Sequence, residues 1–296
     1  MKKEVLVILL LLLISFPAVK SLFLPGGFTS HDLTHHIVRQ IDMDRLLSEG
    51  QFPPRWSGDL ANGYGYPLFL FNYPLPALLG EVFHKMGLGL VDSVKAVFFL
   101  SLILSVLGMY LFLKSLFKSS LSAFLGAVFY LYAPIHLIVV YVSGAPGASL
   151  GLVFPPYIFW AITRLWHGRN SKFLLLGSLS LAGLILSHNI TTFIFMPVIL
   201  GFVVTLKLLK DKKEDPYFLQ STLLIFLLGL GLSAFFWLPA MGEKQFIRYD
   251  QFMKRVYLDQ FPTLRQIIYS PWGYGLSHPK IPEGGMSYSV GLAHLL

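Results

Sequence analysis

Residues 218–239 read FLQSTLLIFLLGLGLSAFFWLP, a run of 22 residues without one charged side chain. As a helix it would be about 33 Å long, enough to cross a hydrocarbon core of about 30 Å. Six further apolar stretches join it: Val5–Leu24, Val91–Leu113, Leu121–Val142, Leu150–Leu165, Phe173–Ser187 and Thr191–Leu206. The chain as a whole agrees. It has 296 residues, 55% hydrophobic and 13% charged, where a soluble domain carries about 25% charged residues. Disorder needs the opposite composition. A porin-like barrel would show segments of about ten residues with alternating polarity, and these runs are long and unbroken. The expected fold class is an all-α membrane protein, a polytopic helical bundle.

The net charge is +8. In a soluble protein such an excess suggests nucleic acid; in a membrane protein it reflects basic cytoplasmic loops, so the expected partner is the lipid bilayer and not nucleic acid. Lys2 and Lys3, Lys114 and Lys118, Arg164, Arg169 and Lys172, and Lys207–Lys213 fall in alternate connectors. The short turns Ser143–Ser149 and His188–Ile190 have no Lys or Arg. The positive-inside rule then places the N-terminus in the cytoplasm and both turns outside, in the cytoplasmic membrane. The expected organisation is a first span at 1–24, an external loop at 25–90, a six-span bundle at 91–239, and an external segment at 240–296 whose apolar end resembles the start of another span. Met1-Lys2-Lys3 and Phe16-Pro17-Ala18 also suit a signal peptide, but the apolar run resumes after Lys20, which favours a retained span. Pro67–His84, interrupted at Pro74 and Pro76, reads as an interfacial or re-entrant helix. Cysteine is absent, which removes disulfides and thiolate metal sites.

Polar chemistry gathers between Thr29 and Asn62. Thr29-Ser30 can cap a helix running to about Glu49, with Gly50 as its stop. On it Asp32, His35, His36 and Arg39 stand at i, i+3, i+4 and i+7, the spacing of one helical face. A carboxylate beside imidazoles can serve as a general base, a metal ligand or both. A capping Asp with solvated histidines is the plain alternative. Asp42 and Asp44 read as surface charges, as do the mixed charges of Lys210–Asp215. Arg55 offers a guanidinium to phosphate or carboxylate. Trp56 and Tyr64 suit either a sugar face or the interfacial belt, and Asp59 lies in the same loop. His188, Asn189 and Glu243 emerge on the same side as Asp32. No Walker, Rossmann, His-Glu-x-x-His or Gly-x-Ser-x-Gly pattern is present.

This layout resembles the GT-C superfamily of membrane glycosyltransferases, in which an acidic residue soon after the first span has the catalytic or metal role; Asp32 matches that position. The wording is closer still to a prokaryotic family of multi-pass proteins described as 6-pyruvoyl-tetrahydropterin synthase-related, similar to the YfhO-like membrane proteins. The matching pieces are His31-Asp32 through Arg39, Gly50–Trp56, Gly63–Pro67, Ser187-His188-Asn189, Ala234–Pro239 and Ser270–Gly275. Nothing resembles the zinc-binding histidines of a pterin synthase. The family pattern has an Arg and a Glu after the third span, where this chain has Ser143 and Ala148.

The resemblance implies transfer of a sugar from a polyprenyl-phosphate-linked donor to a glycan, lipid or protein acceptor at the outer membrane face. Asp32 would be the general base or would hold a divalent cation, Mg or Mn. His35 and His36 would assist at the catalytic position. Arg55 and Arg39 would neutralise the phosphate, while Trp56, Asp59, Tyr64, His188, Asn189 and Glu243 would contact substrate. A lipid or polysaccharide transporter and a non-catalytic membrane assembly protein are the competing expectations.

Overall fold

The computed structural model describes residues 2–209, 215–248, 256–280 and 285–295. These residues are mostly helical, and the described part holds no strand beyond one isolated bridge between Ser57 and Tyr66. Every apolar stretch of the sequence is a helix. Five pass as spans by length and composition: Glu4–Phe23, Leu90–Phe117, Pro146–His167, Asn189–Leu208 and Phe218–Phe246. A sixth, Ser120–Leu131 with Pro134–Val142, is bent by 45°. Ser171–Ser187 is apolar and shorter. The protein is a polytopic helical membrane protein.

The helices, in chain order, are α1 (Lys2–Val19), α2 (Leu33–Ser48), α3 (Leu68–Phe71), α4 (Leu75–Lys85), α5 (Leu90–Phe117), α6 (Ser120–Leu131) and α7 (Pro134–Leu137). They continue with α8 (Pro146–Gly151), α9 (Phe154–His167), α10 (Ser171–Ser187), α11 (Asn189–Leu208), α12 (Phe218–Glu243), α13 (Leu264–Ile268) and α14 (Leu292–Leu295). Pro134 has no N–H to continue α6 and starts α7 at its first position. One wide π-type segment, Ile138–Val142, follows α7. It leaves backbone carbonyls free where Asp32 docks. The stretch 67–84 forms α3 and α4, each too short to span.

Two apolar cores hold the bundle. One packs α1, α5 and α6 around Phe98, Leu102, Val106 and Leu131. The other packs α9, α10, α11 and α12 around Ile162, Leu165, Leu181 and Ile225. Small residues set the closest approaches. A methyl group on Gly229 would come within 2.8 Å of Leu181, and one on Gly177 within 2.5 Å of Ile225. Backbones can meet this closely only where Cβ is missing, the usual device between helices in lipid.

Several polar groups at the span ends are paired. Glu4 accepts a hydrogen bond from Tyr110 (2.8 Å) and forms an ion pair with Lys114. Lys95, buried at the start of α5, donates to the carbonyls of Leu24 (2.6 Å) and Gly26 (3.0 Å) and pairs with Asp92 at 2.7 Å. That contact anchors the segment leading to Asp32. Asp215 is not simply solvated: its carboxylate accepts from the Arg169 N–H (2.9 Å), and its own N–H donates to the Trp166 carbonyl (2.9 Å). Lys210, Asp211, Lys212, Lys213 and Glu214 lie outside the described residues.

Candidate functional site

The segment before α2 is fastened to the end of the bent span. His31 N–H donates to the Val142 carbonyl (3.0 Å), and Asp32 N–H donates to the Ser143 carbonyl (2.8 Å). The N-cap of α2 is Asp32 and not Ser30, although the Ser30 hydroxyl, two residues earlier, accepts from Leu33 N–H at 3.2 Å. The contact needs Gly144, which has φ +66° and no room for a Cβ: one would lie 2.1 Å from the Ser30 hydroxyl and 2.9 Å from Leu33 N. The Asp32 side chain makes no cap bond. Its carboxylate is exposed and free for other chemistry.

The expected common face of Asp32, His35, His36 and Arg39 divides. Leu33, His36, Gln40 and Met43 form the buried side of α2, against α4 and α5. Asp32 and His35 stay exposed, and Arg39 is half-buried. A stripe at i, i+3, i+4 and i+7 spans roughly 100°, so neighbours on one side bury only one edge of it.

His36, Arg39 and Gln40 line a small recess of about 10 Å3 together with Tyr73, Phe69, Pro76, Val97 and Pro146. Tyr73, in the turn between α3 and α4, joins the groups here. The charges of Arg39 and Asp32 both act on its hydroxyl. Its ring stands edge-on to the His188 imidazole, centroids 5.0 Å apart. Burial raises the Tyr73 hydroxyl above its ordinary value; Asp32 adds to the rise and Arg39 opposes it. The phenol thus stays a neutral donor. Gly147 makes room for it, since a Cβ there would sit 2.2 Å from the ring and 2.7 Å from the Ser187 carbonyl.

Both imidazoles are neutral at physiological pH. Burial lowers His36 to about 3, and the Arg39 charge nearby acts in the same direction. Burial also lowers His188 to about 4. His188 is the N-cap of α11, and Thr191 N–H donates to its Nδ1 at 3.2 Å. A backbone N–H only donates, so the His188 proton is on Nε2. Because the unfolded His36 side chain titrates near 6.5, the unfolded state binds the extra proton first. The contribution of His36 is whole above pH 6.5 and falls as pH drops toward 3. In detergent, wild-type stability relative to His36→Gln should fall by about 2 kcal/mol between pH 6.5 and 4.5. Thermal unfolding of both proteins across that range checks it; parallel curves would mean His36 is not held neutral.

Of the expected residues His36 and Arg39 line the recess; His35 and His188 lie within electrostatic reach of His36, and Asp32 within reach of Tyr73. Asn189 is close, its amide donating to the Phe71 carbonyl at 3.4 Å. Tyr73, Gln40 and Gly147 carried no sequence signal as site residues. A lone tyrosine after Phe71-Asn72 looks like any interfacial aromatic.

The remaining expectations fall elsewhere. Asp59 forms an ion pair with Arg45 of α2. The Trp56 indole lies on Gly65, where a Cβ would be 2.4 Å from Nε1. Tyr64 is 88% exposed and joins no site. Glu243 ends α12 in an exposed position. Asp42 is a correction: it is buried with Arg45 3.8 Å away, since α2 turns that side toward the protein. Asp44 pairs with Lys85 at 2.6 Å, which holds its carboxyl below the usual range. Arg55 lines a separate, mostly apolar pocket with Pro53, Pro54, Leu70, Pro74, Phe235 and Phe236. Phe69 borders both pockets and is their common wall. Among the described residues no group of three or more His, Asp or Glu is arranged to hold a metal.

Comparison with known proteins agrees with the helical membrane architecture. An uncharacterized protein of Lactococcus lactis subsp. cremoris (strain MG1363) is 26% identical over 246 residues. The match covers 80% of this chain and 39% of that relative, so the chain spans well under half the relative's length. No solved structure matches. Residues 71–268, two thirds of the chain, match the family described as 6-pyruvoyl-tetrahydropterin synthase related domain, membrane protein. The stretch includes Tyr73, Gly147 and His188 of the cluster, and the chain belongs to this 6-pyruvoyl-tetrahydropterin synthase related family of membrane proteins.

Proposed function

We infer that the protein is a membrane glycosyltransferase of GT-C type. It would transfer a sugar from a polyprenyl-phosphate-linked donor to a hydroxyl acceptor at the outer face of the cytoplasmic membrane. The observation that carries this reading is the convergence of an exposed carboxylate, Asp32, with Arg39, Tyr73 and two neutral imidazoles at one end of the bundle. A transporter would instead need such groups at mid-membrane depth.

In this mechanism Asp32 accepts the proton of the acceptor hydroxyl while its oxygen attacks the anomeric carbon of the donor. The new glycosidic C–O bond forms as the C–O bond to phosphate breaks, and the electron pair leaves with the phosphate. Arg39 and the Tyr73 hydroxyl donate to that developing charge. His188 Nε2–H supplies a further neutral donor. Arg55, in the separate recess, takes no part in the step.

Purified protein in membranes, offered a panel of polyprenyl-phosphate sugars and membrane glycolipid acceptors, should move labelled sugar to the acceptor. Arg39→Ala should reduce the rate about 10- to 100-fold, the value of a charge-assisted hydrogen bond. Failure of every donor, or an Arg39→Ala variant as fast as wild type, would refute the reading.

A further inference from the structure

Arg55 has no role in the cluster around Asp32, and its surroundings are unusual for a guanidinium. The side chain is exposed, yet Pro53, Pro54, Leu70 and Phe236 line the pocket beside it. Among the described residues no acidic side chain pairs with it. Asp59, four residues on, is committed to Arg45. The backbone around Arg55 is fixed: its N–H donates to the Gln51 side chain (2.6 Å), and its carbonyl accepts from Phe69 N–H (3.2 Å). The cation is held beside an apolar recess, with no counter-ion among the described residues.

The recess continues along α12. Leu224, Leu228, Leu232 and Phe235 recur at helical spacing and are 36%, 45%, 49% and 40% exposed. Gly231, on the same side, has nothing within 4 Å of a Cβ position. The stripe from Leu224 to Phe235 is about 16 Å long, close to half of a hydrocarbon core of about 30 Å. Phe235 is about 25 Å along α12 from Phe218, near the end of a membrane crossing. The stripe therefore has the length of one leaflet, and the Arg55 charge stands at its headgroup end.

We propose that Arg55 and this face of α12 form a binding site for a bilayer phospholipid, with the phosphodiester on the Arg55 guanidinium and one acyl chain along Leu224–Phe235. Charge complementarity selects the phosphate and the stripe selects the chain. Phe69 borders both this recess and the one lined by His36 and Arg39, and the occupant is a structural lipid and not the sugar donor. The site rests on the membrane architecture alone and stands or falls apart from sugar transfer.

The test uses the full chain in nanodiscs of phosphatidylglycerol and phosphatidylcholine, released for native mass spectrometry. Wild type should retain one phosphatidylglycerol. Arg55→Ala should weaken retention about ten-fold or more, the loss of a charge-assisted hydrogen bond, and Arg55→Lys should retain part of it. Lys172→Ala, an exposed cation at the start of α10, should behave as wild type. Equal retention by Arg55→Ala, or equal loss in Lys172→Ala, would overturn the site. Because the chain has no native cysteine, a fluorophore on Leu232→Cys reports the stripe by itself. Spin-labelled phosphatidylglycerol should quench it, and Arg55→Ala should reduce that quenching. Absence of quenching in the wild-type background would show that something other than lipid covers this face.

Discussion

Asp32→Asn is expected to lower sugar transfer about 10^2- to 10^4-fold, the range lost when a general base is removed. The substitution keeps the size of the side chain and both backbone contacts that hold the residue. Asp32 N–H would still reach the Ser143 carbonyl, and the Ser30 hydroxyl would still accept from Leu33 N–H. The exposed side chain makes no cap bond, so membrane insertion and thermal stability should stay near wild type. What disappears is the basicity of the carboxylate. Radiolabelled transfer in membranes, with the amount of inserted protein measured in parallel, separates the two. A variant as fast as wild type would remove Asp32 from the mechanism. A variant that failed to insert would show that the side chain has a structural task.

Gly147→Val is expected to cost about 1–3 kcal/mol of stability and to abolish transfer. A Cβ at this position would approach Tyr73 Cε2 to 2.2 Å, Cζ to 2.7 Å and the Ser187 carbonyl to 2.7 Å. The ring could swing away, but the carbonyl belongs to the last residue of α10 and cannot. Forcing a larger side chain into such a contact costs about that much. The displaced Tyr73 would leave both Arg39 and the edge of His188. Tyr73→Phe is the useful companion, since it keeps the ring and removes only the hydroxyl. It should unfold near the wild-type temperature and still transfer about 10-fold more slowly, the value of one hydrogen bond to a charged group. A Gly147→Val protein with unchanged stability would mean that α8 shifts freely, and the site would be far softer than its packing indicates.

The helical membrane class was legible because hydropathy is additive. Runs such as 218–239 declare themselves residue by residue, without reference to any neighbour. The candidate residues were legible in part. Asp32, His36, Arg39 and His188 stand out because ionisable groups near a membrane boundary are rare and costly. The periodicity that grouped Asp32 with His35 and His36 could not tell which edge α4 and α5 would cover, so it placed an exposed imidazole and a buried one together. Asp42 was misread for the same reason: its buried state depends on where α2 turns that side.

Arg55 and Arg39 look alike in a sequence, as cations in one polar loop. The fold puts them in separate recesses that share Phe69, one with His36 and Tyr73 and one beside the exposed face of α12. Tyr73 and Gly147 are the clearest case. Neither carries a motif, they are 74 positions apart in the chain, and each matters through the other.

By itself the amino-acid sequence determined that this protein lies in a membrane as a helical bundle, because the cost of burying charge in lipid is paid locally along each span. The tertiary structure alone decided which polar groups meet. The closest contacts of the site, between Tyr73, Gly147, His188 and the end of α10, depend on backbones approaching within a few ångströms, and that distance is a property of packed helices and not of any one residue.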